Sequence, residues 1–258
     1  MNKRNKVIYT CIVGGFDSII QPESVDDTYD YICFVEKGKT TESRIGIWQL
    51  REIPFEHKNS RVLSRFPKLR PHIVLPEYEY SLWLDGNVSI KEKSLYGIIE
   101  EKINNGIKYS GLCHWGRDCA YEEAIGCANS RKEPFLSLLR TIHFLKRSNF
   151  PRHYGLYENN VIFRSHKDEN IIKFDDMWWN LYLKYSNRDQ LCHPFCYREC
   201  GLEFDYILPR GYCSRNHPTF LYVKHLQRPV KKRGLKKLIS DINRKSKVIL
   251  LKAYTCLP

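Results

Sequence analysis

Ser81-Leu-Trp-Leu-Asp85-Gly-Asn87-Val, residues 81–88, is the stretch on which the fold turns. Leu82, Trp83 and Leu84 run straight into Asp85-Gly86-Asn87. A short apolar run closed by a glycine-centred turn reads as a buried strand. In open α/β sheets, ligands bind beyond the carboxyl ends of the strands. Chemistry is therefore expected on this turn. Asp85 and Asn87 place two short oxygen-bearing side chains two residues apart. A hard cation such as Mg²⁺ or Mn²⁺ takes oxygen ligands and keeps positions open for phosphate oxygens. Asp-Gly-Asn is also an ordinary turn sequence, so its meaning depends on what surrounds it.

Upstream, Lys6 to Val13 is a β-branched and aromatic run ended by Gly14-Gly15, which predicts a first buried strand and a sharp turn. Tyr29 to Val35 and Trp48 to Ile53 predict two more strands, and Tyr80 to Leu84 a fourth. Ser60 to Leu75 carries Val62, Leu63, Phe66 and Leu69 at helical spacing, closed by Pro71. Helices are also expected over 91–107 and 133–146, the second with Phe135, Leu138, Leu139, Ile142 and Leu145 on one stripe. Strands alternating with helices imply an α/β sheet rather than a sandwich or a bundle. From Gly234 to Ala253, apolar residues at 235, 238, 239, 242, 249 and 250 alternate with lysines and arginines. That is a basic amphipathic helix, suited either to an anionic membrane surface or to packing on the body with a solvated basic face. The division expected is a catalytic domain over 1–227 and a basic tail over 228–258.

Composition narrows the class. A chain of 258 residues with 42% hydrophobic content and 13% aromatics can fill one large core, which excludes overall disorder. No run reaches the roughly 18–20 apolar residues that span a bilayer. The N-terminus lacks a small-residue cleavage site, so a cytoplasmic location is expected, with peripheral contact on the inner face of the membrane through the tail. The formal charge is +13. From Arg228 onward there are ten Lys or Arg against one Asp, so the body is close to balanced. A nucleic-acid-binding enzyme more often spreads cations over its main face, and no nucleic-acid partner is expected. Ten cysteines in a chain of this size without a secretion signal are expected to stay reduced. Cys192, Cys196 and Cys200, with Cys213 and His217, form a candidate zinc cluster, set against buried thiols along one face.

The stretch PHIVLPEYEYSLWLDGNVSI resembles the strand and acidic turn of GT-A glycosyltransferases, especially the glycogenin-like and bacterial lipopolysaccharide galactosyltransferase families. A closer resemblance is to a glycosyltransferase-like family first catalogued as a domain of unknown function, with members in plant cell-wall and mucilage biology and in bacterial polysaccharide loci. Its hallmarks look like VIYTCIVGGFD, DYICFVE, RVLSRFPKLRPH, YSLWLDGNVSI, CAYEEA, GLYENNVIFR, WW and RDQL, over residues 6–195.

The resemblance implies a GT-A-like, Rossmann-type nucleotide-sugar-binding domain with a mostly parallel central sheet flanked by helices. It implies a divalent metal (Mn²⁺ or Mg²⁺) on Asp85 and Asn87, with His225 completing the set and His217 competing for that role. It implies a nucleotide-sugar donor beside Thr10, Gly14, Gly15 and Asp17, met by Arg61, Lys68 and Arg70. Asn159 and Asn160 would meet the sugar, and Asp189-Gln190 the sugar or acceptor. Asn87 stands where strict metal-dependent enzymes have a second aspartate, which throws more of the metal binding onto His225 or water.

The chemistry then needs particular groups. A metal would neutralise the leaving diphosphate, with cations such as Lys68 and Arg70 assisting. An inverting enzyme needs a carboxylate base, for which Asp189, Glu158 and Glu123 are the candidates, with Glu122 beside them. For Glu122-Glu123 the bland alternative is an acidic pair at a helix start. Trp178-Trp179 reads as core, whereas His114-Trp115 is the better candidate for acceptor contact. The expected function is sugar transfer to a glycan or lipid-linked acceptor in capsule or lipopolysaccharide assembly. A metal-dependent hydrolase of a lipid or sugar amide or ester, and a non-catalytic sugar-nucleotide-binding module, are the competing classes. Product analysis distinguishes the first, and lost metal binding in an intact fold the second.

Overall fold

The computed structural model describes residues 4–15, 17–224 and 234–256, with the backbone alone at 234–239. The strands anticipated from apolar runs are present as β1 (Lys6–Ile12), β2 (Tyr29–Val35), β4 (Trp48–Glu52) and β5 (Tyr80–Leu84). A two-residue β3 (Arg44–Ile45) edges the sheet, and β7 (Tyr109–Cys113) and β8 (Tyr157–Ser165) complete it. The order is β3-β4-β2-β1-β5-β8-β7. The β1, β2, β4 and β5 pairings are parallel, and β8 runs antiparallel between β5 and β7. Five of the seven described strands therefore point the same way, in agreement with the mostly parallel α/β sheet expected. A second ladder joins β6 (Val88–Ile90) to β9 (Phe220–Tyr222) directly after the Asp85 turn.

Helices cover both faces. On one side lie α1 (Ser60–Leu69), α2 (Pro71–Val74), α4 (Ala120–Asn129), α5 (Phe135–Arg147), α6 (Glu169–Lys184) and α7 (Asp189–Glu199), whose apolar stripes share a core with Tyr9, Trp83 and Ile162. On the other, α3 (Ser94–Asn104) packs Leu95, Tyr96 and Ile99 against Ile8, Leu82 and Phe163. The caps follow local chemistry. The Asn59 side chain accepts from Arg61 N at the start of α1, and Asp168 accepts from Asn170 N and Ile171 N at the start of α6. Trp178 and Trp179 are core residues, as expected.

Two expectations need refinement. The 60–75 segment is two helices, because Pro71 starts α2 after Arg70 leaves helical geometry. The C-terminal helix α8 (Gly234–Cys256) packs on α4 and α5. Leu251 is buried in the main core, and Arg131 donates to Asp241 and to Ser240 O. Ile242, Ile249 and Leu250 face outward with Lys245 and Lys252. Residues 228–233 lie outside the described part of the chain.

The candidate zinc cluster of Cys192, Cys196, Cys200, Cys213 and His217 is not assembled among the described residues. A four-residue spacing places Cys192 and Cys196 on one face of α7 and Cys200 at its C-cap; Cys192 and Cys196 are buried, the second within the apolar core. Burial pushes the Cys192 thiol up to about 12 and Cys196 well above its ordinary value, the behaviour of inert core thiols.

Candidate active site: a charged cleft at the carboxyl end of the sheet

The carboxyl ends of β1 and β5 open onto a cleft of about 1350 Å³. Asp85 leaves β5 with its amide donating to Asn160 O at 2.8 Å, and Val88 N returns to Asp85 O at 2.8 Å, which closes the turn. Gly86 packs closely on the end of β1. A Cβ there would lie 2.6 Å from Ile12 Cδ1 and 3.4 Å from the carbonyl of Cys11.

The Asp85 carboxylate is held by its own neighbourhood. Trp83 Nε1 donates to Oδ1 at 2.8 Å, and Lys68 Nζ donates to the same oxygen at 3.0 Å. Lys68, only 1% exposed, also donates to Asp189 Oδ2 at 2.7 Å, where Arg65 Nε joins at 3.2 Å. One ammonium from α1 thus bridges the end of β5 and the start of α7. Burial alone would raise both carboxylates. The nearby Lys68 and Arg65 outweigh it and hold Asp85 below the usual carboxylate range; with Arg188 they hold Asp189 far below it. Behind this bridge, the fully buried Arg164 of β8 donates to Lys68 O at 2.6 Å, fixing the end of α1 to the sheet.

Asn87 has a specific partner. Its Nδ2 donates to Val223 O at 3.0 Å while Val223 N donates to Asn87 O at 2.9 Å. A carboxylate at this position would face the Val223 carbonyl with no proton between them. The departure from a second aspartate is therefore explained by the ladder that ties residue 223 to the turn. This pairing leaves the Asn87 side-chain oxygen and Asp85 Oδ2 as hard oxygen donors in the cleft, a donor set that suits Mg²⁺ or Mn²⁺. His225 lies outside the described residues. His217 does not line the cleft; its Nδ1 accepts from Thr219 N and its ring meets Tyr212.

The remaining expectations divide cleanly. Asp17, Arg61, Lys68, Asp85, Asn87, His114, Trp115, Glu123, Glu158, Asn160, Asp189 and Gln190 all line the cleft. Gly14 and Gly15, both at positive φ, line an adjoining hollow of about 470 Å³ with Ile12, Val35 and Leu50. Three residues are not brought in. Thr10 is buried within β1, because alternation turns it into the sheet packing. Arg70 turns away at the end of α1 and pairs with Asp176 at 2.9 Å. Asn159 is buried at φ 43°, next to the irregular β7–β8 register, with neither side-chain polar atom hydrogen-bonded. Glu122 does not line the cleft either; it lies near Arg152 and His153.

Sequence reasoning missed Arg65, Arg117, Arg188 and Arg215, which also line the cleft. A signal for Arg65 was present, since 61, 65 and 68 are spaced i, i+4, i+7 and share one helix face, whereas 70 does not. Arg117 donates to Glu123 at 2.7 Å, and Arg188 lies 3.5 Å from the same carboxylate. Gly126 lets this happen, since a Cβ there would sit 2.7 Å from the Arg117 guanidinium carbon. Arg215 pairs with Glu158, and Asn160 donates to Glu158 and to Ser214. His114 Nδ1 accepts from the amides of Gly116 and Arg117, so its proton sits on Nε2, 3.6 Å from Glu123. Burial lowers His114 to about 4, against the opposing pull of Glu123, which makes it a neutral ring. Trp115 stacks near it and is 68% exposed at the mouth of the cleft.

The model of the TOD1/MUCI70, glycosyltransferase-like domain matches residues 1–205. A probable hexosyltransferase, MUCI70 of Arabidopsis thaliana, is 23% identical over 214 residues, covering 73% of this chain and 36% of that protein. The chain thus spans about a third of that relative's length. Among solved structures, core-mannan synthase A (Ktr4) from Aspergillus fumigatus, in its Mn/GDP form, aligns with a TM-score of 0.44 and 9% identity over 80% of this chain and 73% of that one. Mouse xyloside xylosyltransferase 1, in its apo form, aligns at 0.45 and 9% over 77% and 83%.

Proposed function

The chain belongs to the TOD1/MUCI70 glycosyltransferase-like domain family, and from that premise we propose that it transfers a hexose from a nucleotide-sugar donor to a glycan or lipid-linked acceptor. The supporting observation is the Lys68 bridge between Asp85 and Asp189. It sets a buried cation, with Arg65 beside it, at the strand end where a leaving diphosphate would develop charge. The Gly14-Gly15 hollow next to it is open to a nucleoside.

Asp85 and Asn87 would hold a divalent ion, which would supply Lewis-acid neutralisation of the diphosphate. The chain's own residues do the rest. Lys68 and Arg65 donate to the phosphate oxygens when these displace part of the carboxylate pairing. Asp189, protonated so weakly, is a poor proton acceptor near neutral pH; it positions Lys68 and Arg65. Glu123 and Glu158 are left as the carboxylates able to take the acceptor proton in an inverting reaction. Trp115 offers an exposed ring for a sugar face.

The setting we propose is surface-polysaccharide assembly, capsule or lipopolysaccharide, on the cytoplasmic side of the membrane. No helix of the described residues is long and apolar enough to cross a membrane. The outward face of α8 supports peripheral docking, since Ile242, Ile249 and Leu250 share it with Lys245 and Lys252. Sedimentation with phosphatidylglycerol vesicles, but not with phosphatidylcholine vesicles, is expected. Equal recovery with both lipids counts against the anionic surface.

A thermal-shift series with UDP, GDP, CDP and CMP, each with and without Mn²⁺, tests the main reading. One nucleotide is expected to raise Tm more with metal than alone, and Asp85→Ala to remove that increment. No shift with any of them would overturn donor binding.

A further inference from the structure

A second group of potential metal ligands lies outside the cleft, where α4 begins. We propose that Cys119, Glu122 and His153 bind a zinc ion, with Asp118 positioning the imidazole. Among the described residues this is the grouping of three His, Cys, Asp or Glu side chains whose ligand atoms all lie within 4.8 Å of one another. Cys119 is buried, Glu122 is half-buried and His153 is exposed, so an ion would enter from solvent and end against the thiol.

The hydrogen bonding orients the imidazole for a cation. Asp118 Oδ1 lies 2.6 Å from His153 Nδ1, which places the ring proton on that nitrogen. With Nδ1 engaged by Asp118, Nε2 faces Glu122 Oε1, 3.7 Å away. That separation is too long for a hydrogen bond. It is close to the ~3.4 Å edge between two ligands of a tetrahedral ion bound at about 2.0–2.1 Å to nitrogen and 2.0–2.2 Å to oxygen. A carboxylate on Nδ1 with metal on Nε2 is the usual arrangement for an orienting outer partner. Arg152 stays compatible with it. Its guanidinium is 3.9 Å from Glu122 and already rests on the Tyr121 ring and near Thr255 O.

The donor set separates this site from the Asp85 turn. Thiolate, imidazole and carboxylate together favour zinc, whereas an all-oxygen set favours Mg²⁺ or Mn²⁺. Three protein ligands leave a fourth position for water. Its place in the fold gives it a role, since it fastens the segment carrying His114, Trp115 and Arg117, and the 151–155 turn, to the helix that carries Glu123. Gly155 N already donates to Asp118 O at 2.8 Å across the same junction. The ion would stiffen the acceptor wall of the cleft without touching substrate.

The test uses the full chain, stripped with chelator, desalted and titrated with ZnCl₂. One equivalent of zinc is expected to bind and raise Tm, and Co²⁺ in its place is expected to show a thiolate-to-cobalt absorption band. Cys119→Ser and His153→Gln should lose both, with metal-free circular dichroism matching that of the metal-free parent. Asp118→Asn should weaken zinc affinity about 10–100-fold, while Asp85→Ala should keep it. The proposal fails if the parent takes up no zinc, if Cys119→Ser and His153→Gln bind it unchanged, or if zinc is lost only in Asp85→Ala. A ring that stays protonated between the two carboxylates and excludes zinc at neutral pH would overturn it equally.

Discussion

The two walls of the cleft are built differently. The inner wall is the junction of α1, β5 and α7, where buried Lys68 ties Asp85, on the turn that leaves β5, to Asp189 at the start of α7. The outer wall is the 114–117 segment and α4, where Trp115 is open to solvent and Glu123 is shared among Arg117, Arg188 and His114. A buried ion-pair bridge is costly to break because the partner charges are stranded in low dielectric. An exposed ring is cheap to remove because little packing goes with it. The inner wall should therefore couple stability to activity, and the outer wall should tune acceptor use alone.

The largest expected effect is at the bridge. Lys68→Met removes the ammonium shared by Asp85 and buried Asp189, leaving Trp83 Nε1 on the first and Arg65 on the second, and should destabilise the fold by about 3–5 kcal/mol, read by urea unfolding, with transfer activity lost. A stability loss below 1 kcal/mol would show that water, not Lys68, satisfies the carboxylates. Asp85→Ala should lower kcat by about 10²–10³ with the parent's fold retained, and turnover within tenfold of the parent would remove Asp85 from the reaction.

Asn87→Asp comes next. It sets a carboxylate oxygen against Val223 O and should cost about 1–3 kcal/mol, measured by thermal and urea unfolding. Stabilisation instead would mean that a cation, rather than the Val223 carbonyl, dominates at that oxygen.

Acid sharpens the contrast. Asp85 and Asp189 have depressed folded pKa values, so their stabilisation is complete above the unfolded value of about 3.9 and is lost as pH falls below it. His114 behaves differently, because its folded value is about 4 against an ordinary 6.5. The unfolded chain binds its proton first, so stability falls as pH drops from about 6.5 toward 4. Buried His166, also lowered to about 4, shares that window. His114→Gln should flatten this limb without removing it, and Asp189→Asn should flatten only the limb below about 4. Unfolding midpoints across pH 3–8 check both.

The smallest effects belong to the outer wall. Trp115→Ala should raise the acceptor KM roughly tenfold, equivalent to about 1.4 kcal/mol, with Tm and donor binding unchanged. A fall in Tm would make it a packing residue. Glu123→Gln and Glu158→Gln separate the base candidates, since only the true base should lower kcat without changing nucleotide binding.

Much of this was legible from local pattern. Apolar runs ended by Gly14-Gly15 and Asp85-Gly86 marked β1 and β5 because a buried strand must be apolar and its exit must turn. Lys68, Asp85, Asp189 and Gln190 were singled out through motif order, and all four meet in one cleft. Other parts were not. Burial was expected for Trp178-Trp179 from type alone, yet nothing local marked β7, whose Tyr109-Ser-Gly-Leu-Cys113 is short and carries a glycine. Arg70 was misplaced because helix phase, which sends residues 65 and 68 inward, turns 70 away.

By itself, then, the sequence determined the α/β class, the strand ends that open onto the cleft and the basic tail, since these follow from hydrophobic period and turn chemistry within a few residues. Only the tertiary structure decided the pairings: Lys68 between Asp85 and Asp189, Asn87 with Val223, His153 with Asp118, and α8 against α4. Each joins residues 17 to more than 130 positions apart. Charge and hydrogen-bond partners at such distances are chosen by how the sheet and helices pack, and no local pattern encodes that choice.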